Sequence, residues 1–261
     1  MSETGGTGTT GRKGAGVRTA PGTGSPRERY RAQVRAEIKE RAWEQIADAG
    51  ASALSLNAIA KRMGMSGPAL YRYFGSRDEL ITELVRDAYR DLADTFRADV
   101  DAFRADADTD TVRADVENGA EVGIGSGADL ASLAHALRRW ARADPHRYFL
   151  VFGTPVPGYH APDDVTGIAS EIMAVLLDAC AKLPARTSAE AGDQPFDRHI
   201  KAHGQWAGEH PATPAQLHRA LSFWTRLHGV LSLELAGHFT GMGFDAETFF
   251  EAELEGLLAP A

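Results

Sequence analysis

Hydroxyl and guanidinium side chains crowd one short stretch of this chain: Ser55, Ser66, Tyr71, Arg72, Tyr73 and Arg77. Hydroxyls donate hydrogen bonds to phosphate oxygens, and arginine pairs bidentately with guanine or clamps a phosphate. Gly67 and Ala69 stand among them. Such small residues admit close approach and contact with a thymine methyl. These types at this spacing suit the reading of duplex DNA. Arg77 is expected in the first turn of a long helix, where free N–H groups and the helix dipole attract phosphate. Ser55 and Ser66 offer two further hydroxyls.

The elements that must position these groups are legible in Leu54 to Glu83, LSLNAIAKRMGMSGPALYRYFGSRDELITE. Ser55 is a good N-cap for a helix that buries Leu56, Ile59, Ala60 and Met63. Gly64 supplies the left-handed turn. A second short helix follows from about Gly67 to Phe74, with Pro68 in its first turn. Gly75-Ser76 ends it, and Ser76-Arg77-Asp78-Glu79 has the form of a capping box. Leu80, Leu84, Ala88, Leu92, Phe96, Val100 and Phe103 continue at helical spacing, predicting a long helix to about Ala105. Upstream, Val34, Ile38, Ala42 and Ile46 recur every four residues and predict a helix ending at Gly50. Helix, glycine turn and helix together form a helix-turn-helix.

The rest of the chain reads as helical too. Helices are expected at about 129–142, 145–152, 163–183, 214–237 and 245–258. Asp106 to Gly127 reads as an acidic linker and Pro184 to Pro211 as a long loop. No segment alternates with a two-residue period, so the fold class is all-α. Residues 1–26 are Gly/Thr-rich and read as a disordered tail, whose Arg12, Lys13 and Arg18 could touch phosphates. Residues 27–80 form the helix-turn-helix domain, and 81–261 a helical effector-binding and dimerisation domain.

Charge follows the same division. The chain carries 28 Lys+Arg against 36 Asp+Glu, net -8. Residues 1–80 hold 13 against 8, and the remainder 15 against 28. The positive end is the one expected at DNA. The single cysteine, Cys180, lies in an apolar run and reads as a core residue. With no signal peptide and no apolar run long enough to span a bilayer, a cytoplasmic protein with no membrane partner is expected.

Ser55, Ile59-Ala60, Gly64-Met65-Ser66, Leu70-Tyr71-Arg72-Tyr73-Phe74 and Arg77-Asp78-Glu79-Leu80 resemble the pattern of the tetracycline-repressor (TetR/AcrR) family over roughly Arg27 to Glu83. The resemblance implies an all-α homodimeric transcriptional regulator, usually a repressor released by a small ligand. It implies backbone contacts at Tyr71, Tyr73 and Arg77, and base-facing positions at Gly67, Ala69 and Arg72. Arg77 stands where lysine is commoner, and Tyr73 where histidine is also frequent. Trp224-x3-His228-Gly229, with Tyr148 to Tyr159, looks like one C-terminal class of that family.

Leu217, Leu221, Leu231 and Leu235 on one helix, and Phe250, Leu254 and Leu257 on the next, are the expected dimer stripes. Two recognition helices so paired would read a roughly palindromic operator. Phe103, Trp140, Tyr148, Phe152, Met173, Trp224 and His228 are candidate walls of a pocket for a largely hydrophobic effector. Other signals carry no chemistry. Gly123 to Gly127 lacks nucleotide-loop spacing, and Ser132 with His135 lacks a third catalytic partner. His199, His203 and His210 sit in a thiol-free loop, so no metal or other cofactor is expected. The reading is therefore a ligand-responsive repressor, not an enzyme. The alternative is a small-molecule carrier with a vestigial helix-turn-helix.

Overall fold

The computed structural model describes residues 25–114, 126–183 and 195–259. Among them every regular element is helical, with no strand. The N-terminal tail, with Arg12, Lys13 and Arg18, lies outside the described residues.

Helix α1 runs Pro26–Ala49 and opens on a capping box. Ser25 Oγ accepts the Glu28 N–H at 3.3 Å, and the Glu28 carboxylate accepts the Ser25 N–H at 2.7 Å. Val34, Ile38, Ala42 and Ile46 form its buried stripe, as their spacing predicts. A short 3-10 turn, Ala51–Ala53, leads to α2, Leu56–Arg62. Gly64 turns the chain at φ +66°, where a side chain would be strained. Met65 N–H then reaches back to the Ala60 carbonyl at 2.9 Å.

Helix α3 is only Gly67–Leu70, shorter than the expected run to Phe74. At Arg72 and Tyr73 the bonds tighten to a three-residue reach, with Tyr73 N–H on the Leu70 carbonyl at 2.8 Å. This tightening turns Phe74 into the core, where it is fully buried.

Helix α4, Arg77–Ala114, is longer than expected. The first part of the predicted linker is helical, because neither glycine nor proline interrupts the Asp/Ala-rich run before Gly119. The body adds α5 Ser126–Ala143, α6 Pro145–Phe152, α7 Asp163–Lys182, α8 Pro195–Ala202, a 3-10 turn Gly204–Ala207, α9 Pro214–Leu235 and α10 Ala246–Leu258. Helix α8 and its 3-10 turn occupy what reads in sequence as loop. Their period is too short to register, yet Ile200 and Asp197 are buried, and Asp197 accepts from or pairs with His218 Nδ1 at 2.8 Å. The His199 and His203 rings stack 4.3 Å apart, and His203 Nδ1, just past α8, sits on the His199 carbonyl.

Two hydrophobic cores result. One gathers Val34, Ile38, Ile46, Ile59, Leu70, Phe74, Leu80, Ile81, Leu84 and Val85. The other takes over on α4 at Ala88 and runs through α5, α7, α9 and α10. Val156 and Val165, distant in sequence, lie in the first core. The segment after α6 is thus packed into the N-terminal unit. Gly153 starts that segment, and a Cβ there would fall 2.5 Å from the Phe149 carbonyl oxygen. Cys180 is buried, and burial pushes its thiol up to about 12, as befits a core residue. No described helix is long and apolar enough to cross a membrane.

Four residues of the expected dimer stripes, Leu217, Leu231, Phe250 and Leu254, are buried within the protomer's own core, and Leu221, Leu235 and Leu257 are half-buried against it. The four buried residues mark the inward face of α9 and α10. The outward face of α9 instead carries Thr225, Arg226, Gly229 and Leu233, the last 45% exposed.

Candidate DNA-binding site and aromatic cluster

The first candidate surface is built around α3. Ser66 caps it by accepting the Ala69 N–H at 3.3 Å, and Ser55 caps α2 by accepting the Ala58 N–H at 3.4 Å. Each capping oxygen still has its own hydroxyl proton to donate. Ser66, Tyr71 and Arg72 are exposed, and Ala69 is half-exposed beside them. Tyr73 is half-buried against the N-terminal core. A Cβ on Gly67 would point at Asn57 Oδ1, 3.2 Å away. Gly67 therefore stands where α3 passes close to α2.

Arg77 is engaged within the fold. Its Nε donates to the Leu54 carbonyl at 3.2 Å, and its Nη2 to the carbonyls of Ala51 and Ser52 at 2.9 and 3.2 Å. It ties the α1–α2 connection to the start of α4. Three of the five guanidinium N–H donors are thereby engaged within the fold, and Nη1 lies 3.6 Å from the Asp78 carboxylate. The capping of α4 is shifted. Ser76 Oγ accepts the Glu79 N–H at 3.0 Å, while the Glu79 carboxylate accepts from Gly75 N–H at 2.7 Å.

Two residues that sequence reading passed over brace α3 from behind. Arg31 donates to the Arg72 carbonyl at 3.3 Å, and Arg35 to the Tyr73 carbonyl. The Arg35 guanidinium also lies 4.1 Å over the Phe74 ring. Helix-end carbonyls without intrahelical partners are thereby satisfied. The signal was a basic pair at i, i+4 on α1, which shows a shared face and not what that face meets.

The second assembly lies in the body. Tyr148 and Phe152 from α6, Trp140 from α5, and Trp224 and His228 from α9 converge with Tyr89 of α4. Phe152 is the central ring, 4.4 Å from His228, 5.4 Å from Tyr148, 5.7 Å from Trp224 and 5.8 Å from Tyr89. The Tyr148 hydroxyl sits 2.9 Å from His228 Nδ1, 2.9 Å from Ser232 Oγ and 3.2 Å from the His228 carbonyl. His228 Nε2 is closed off from solvent and has no hydrogen-bond partner among the described residues. Burial lowers the His228 pKa to about 4, so the ring is neutral at pH 7. Burial raises the Tyr148 hydroxyl, with a smaller opposing effect from Ser232. Met173 is half-buried in the same core on α7. The Phe103 side chain lies outside the described residues.

The two assemblies touch the same helix. Asp91 of α4 accepts from Trp140 Nε1 at 2.8 Å and from Arg147 Nη1 at 2.5 Å. Arg147 lies 6.0 Å from the ring of Trp43 on α1. Thr82 of α4 donates to the Tyr159 hydroxyl at 3.2 Å.

Comparison with known proteins gives consistent matches. Residues 38–84 match the family model described as bacterial regulatory proteins, tetR family. Residues 130–257 match the tetracyclin repressor-like C-terminal domain. The HTH-type transcriptional regulators Mb1846 of Mycobacterium bovis and Rv1816 of Mycobacterium tuberculosis are each 37% identical over 84% of this chain and 90% of their own length. The solved structure of the regulatory protein SCO4313 is 64% identical, with a TM-score of 0.74 over 90% of this chain and all of that one. The TetR family regulator PfmR of Thermus thermophilus shares the fold, with a TM-score of 0.50 at 16% identity over 85% of this chain and 96% of its own.

Proposed function

The chain belongs to the tetracycline-repressor family of transcriptional regulators, and from that premise we propose that it represses by binding operator DNA as a homodimer until a small, largely hydrophobic ligand releases it. It is a DNA-binding regulator and not an enzyme. The observation that carries the operator reading is the outward row Ser66, Ala69, Tyr71 and Arg72 on a helix braced from behind by Arg31 and Arg35. Arg72 reads a base, and Tyr71, Tyr73 and the hydroxyls of Ser55 and Ser66 hold phosphates. Residues 27–80 act as the DNA-binding unit and 81–261 as the effector and dimer unit.

Dimerisation through the outward faces of α9 and α10 sets two α3 helices on successive major-groove faces, which calls for a palindromic operator. The ligand enters among Trp140, Tyr148, Phe152, Trp224 and His228. Through Tyr89 and Asp91 it shifts α4, whose N-terminal end carries α3. Ligand and DNA then favour different α4 positions, and each weakens the other.

The test is a titration of the purified chain against its own upstream DNA and against random DNA at two salt concentrations. Strong preference for the upstream sequence is expected. Salt-sensitive binding without preference would leave the carrier reading in its place.

A further inference from the structure

The aromatic cluster offers one polar atom that the fold does not use. His228 Nε2 is buried with no partner among the described residues, walled by Phe152, Trp224 and Tyr148 at ring separations of 4.4, 4.2 and 5.6 Å. A buried polar group left unpaired is costly, and native interiors hold few of them.

The Tyr148 hydroxyl has one proton and three acceptors in reach, His228 Nδ1 and Ser232 Oγ at 2.9 Å and the His228 carbonyl at 3.2 Å. The carbonyl sits within α9, where the helix ladder already serves it. When Ser232 donates to the Tyr148 oxygen, the Tyr148 proton goes to Nδ1. A neutral imidazole that accepts at Nδ1 carries its hydrogen at Nε2. That arrangement presents a single donor in an apolar cage.

The route in is through Phe152. It is the last residue of α6, is half-exposed to its surroundings and touches every other ring of the cage. Swinging it out vacates the volume of one phenyl ring beside Nε2. Apolar cavities of that size accept benzene-like ligands.

We propose that Ser232 is the donor of this hydrogen-bonded chain, which leaves the hydrogen of His228 on Nε2, and that the cage is selective for uncharged ligands bearing an aromatic ring and a hydrogen-bond acceptor, such as an aryl ketone, with the acceptor oxygen on Nε2–H and the ring in the place of Phe152. The inference rests on the effector reading above and names the ligand class of that site. A carboxylate is disfavoured, because burial already holds His228 neutral down to about pH 4 and burying an anion beside a neutral ring is costly.

The probes are acetophenone, ethylbenzene and benzoate, titrated calorimetrically into the full-length chain. Acetophenone should bind about tenfold more tightly than ethylbenzene, and benzoate not measurably. His228→Phe should erase the preference for the ketone while ethylbenzene still binds. Phe152→Ala, which opens the ring site in advance, should tighten acetophenone binding severalfold. Equal affinities for ketone and hydrocarbon, a preference for benzoate, no binding of acetophenone, or an unchanged preference in His228→Phe would each overturn the proposal. Specific binding of the unliganded chain to its upstream DNA is measured alongside. If that holds while the ketone preference fails, only the ligand class falls; if it fails, the regulator reading falls with it.

Discussion

Arginines end on a different mix of acceptors in the two halves of the molecule. In the N-terminal unit, Arg31, Arg35 and Arg77 donate to backbone carbonyls, while Arg41 and Arg62 pair with carboxylates and Arg35 reaches Glu83 as well. In the body, Arg97, Arg138, Arg139 and Arg147 end on carboxylates. The carbonyl contacts follow from helix length. Short helices such as α2 and α3 have many ends per residue, and each end leaves carbonyls unpaired. The long helices of the body have fewer ends, and their arginines meet acidic side chains across the seams between helices.

The largest test falls on the carboxylate side. Arg138 is 7% exposed, bonded to Glu234 at 2.9 Å and 5.3 Å from the Phe250 ring. Arg138→Ala leaves Glu234 buried without its main partner and should cost about 3 kcal/mol in urea unfolding. A loss below about 1 kcal/mol would show that the pair is effectively solvated.

The body accepts paired charge but not a lone one, and His228 tests this. Its folded pKa of about 4 lies below the ordinary 6.5, so the unfolded chain takes up the proton first. The contribution is fully present above pH 6.5 and is lost as pH falls toward 4. Wild type should lose roughly 2–3 kcal/mol more than His228→Phe across that interval. Parallel stability curves for the two would remove His228 from the titration.

On the carbonyl side, Arg77→Ala should cost about 2 kcal/mol of stability, since three carbonyls lose a charged donor. Its salt dependence of DNA binding should stay that of wild type. A shallower salt slope with stability intact would assign Arg77 the phosphate role and blur the contrast between the halves. Arg72→Ala should do the opposite, leaving unfolding unchanged while weakening operator binding about tenfold and relaxing one base preference. The smallest effect is expected at Ser66→Ala, which removes the cap of α3 at about 1 kcal/mol.

Legibility differed between the sites for a physical reason. The α3 surface is made by neighbours in sequence, so Ser55, Ser66, Ala69, Tyr71 and Arg72 could be placed on it from caps, a glycine turn and helical spacing. At Arg77 charge and position alone suggest a phosphate and say nothing of the carbonyls it meets, which belong to residues more than twenty positions earlier. In the body, Trp140, Tyr148, Phe152, Trp224 and His228 stood out as large or polar residues on apolar stripes, and the fold does bring them together. Asp91 and Ser232 did not stand out, because an aspartate or serine on a helix looks like solvated surface until its partner arrives. The stripe of Leu217, Leu231, Phe250 and Leu254 was visible, but periodicity cannot tell a face buried in one protomer from a face buried between two.

The sequence by itself determined what is local: the all-α class, the capped helix and glycine turn of the reading head, and the positive charge gathered at that end. These depend on backbone propensity and on side chains within one or two helical turns. Tertiary structure alone decided which arginines clamp backbone carbonyls, which way α9 and α10 face, and that His228 Nε2 has no partner among the described residues. Those outcomes depend on groups far apart in the chain meeting at hydrogen-bond distance, and no spacing rule encodes such a meeting.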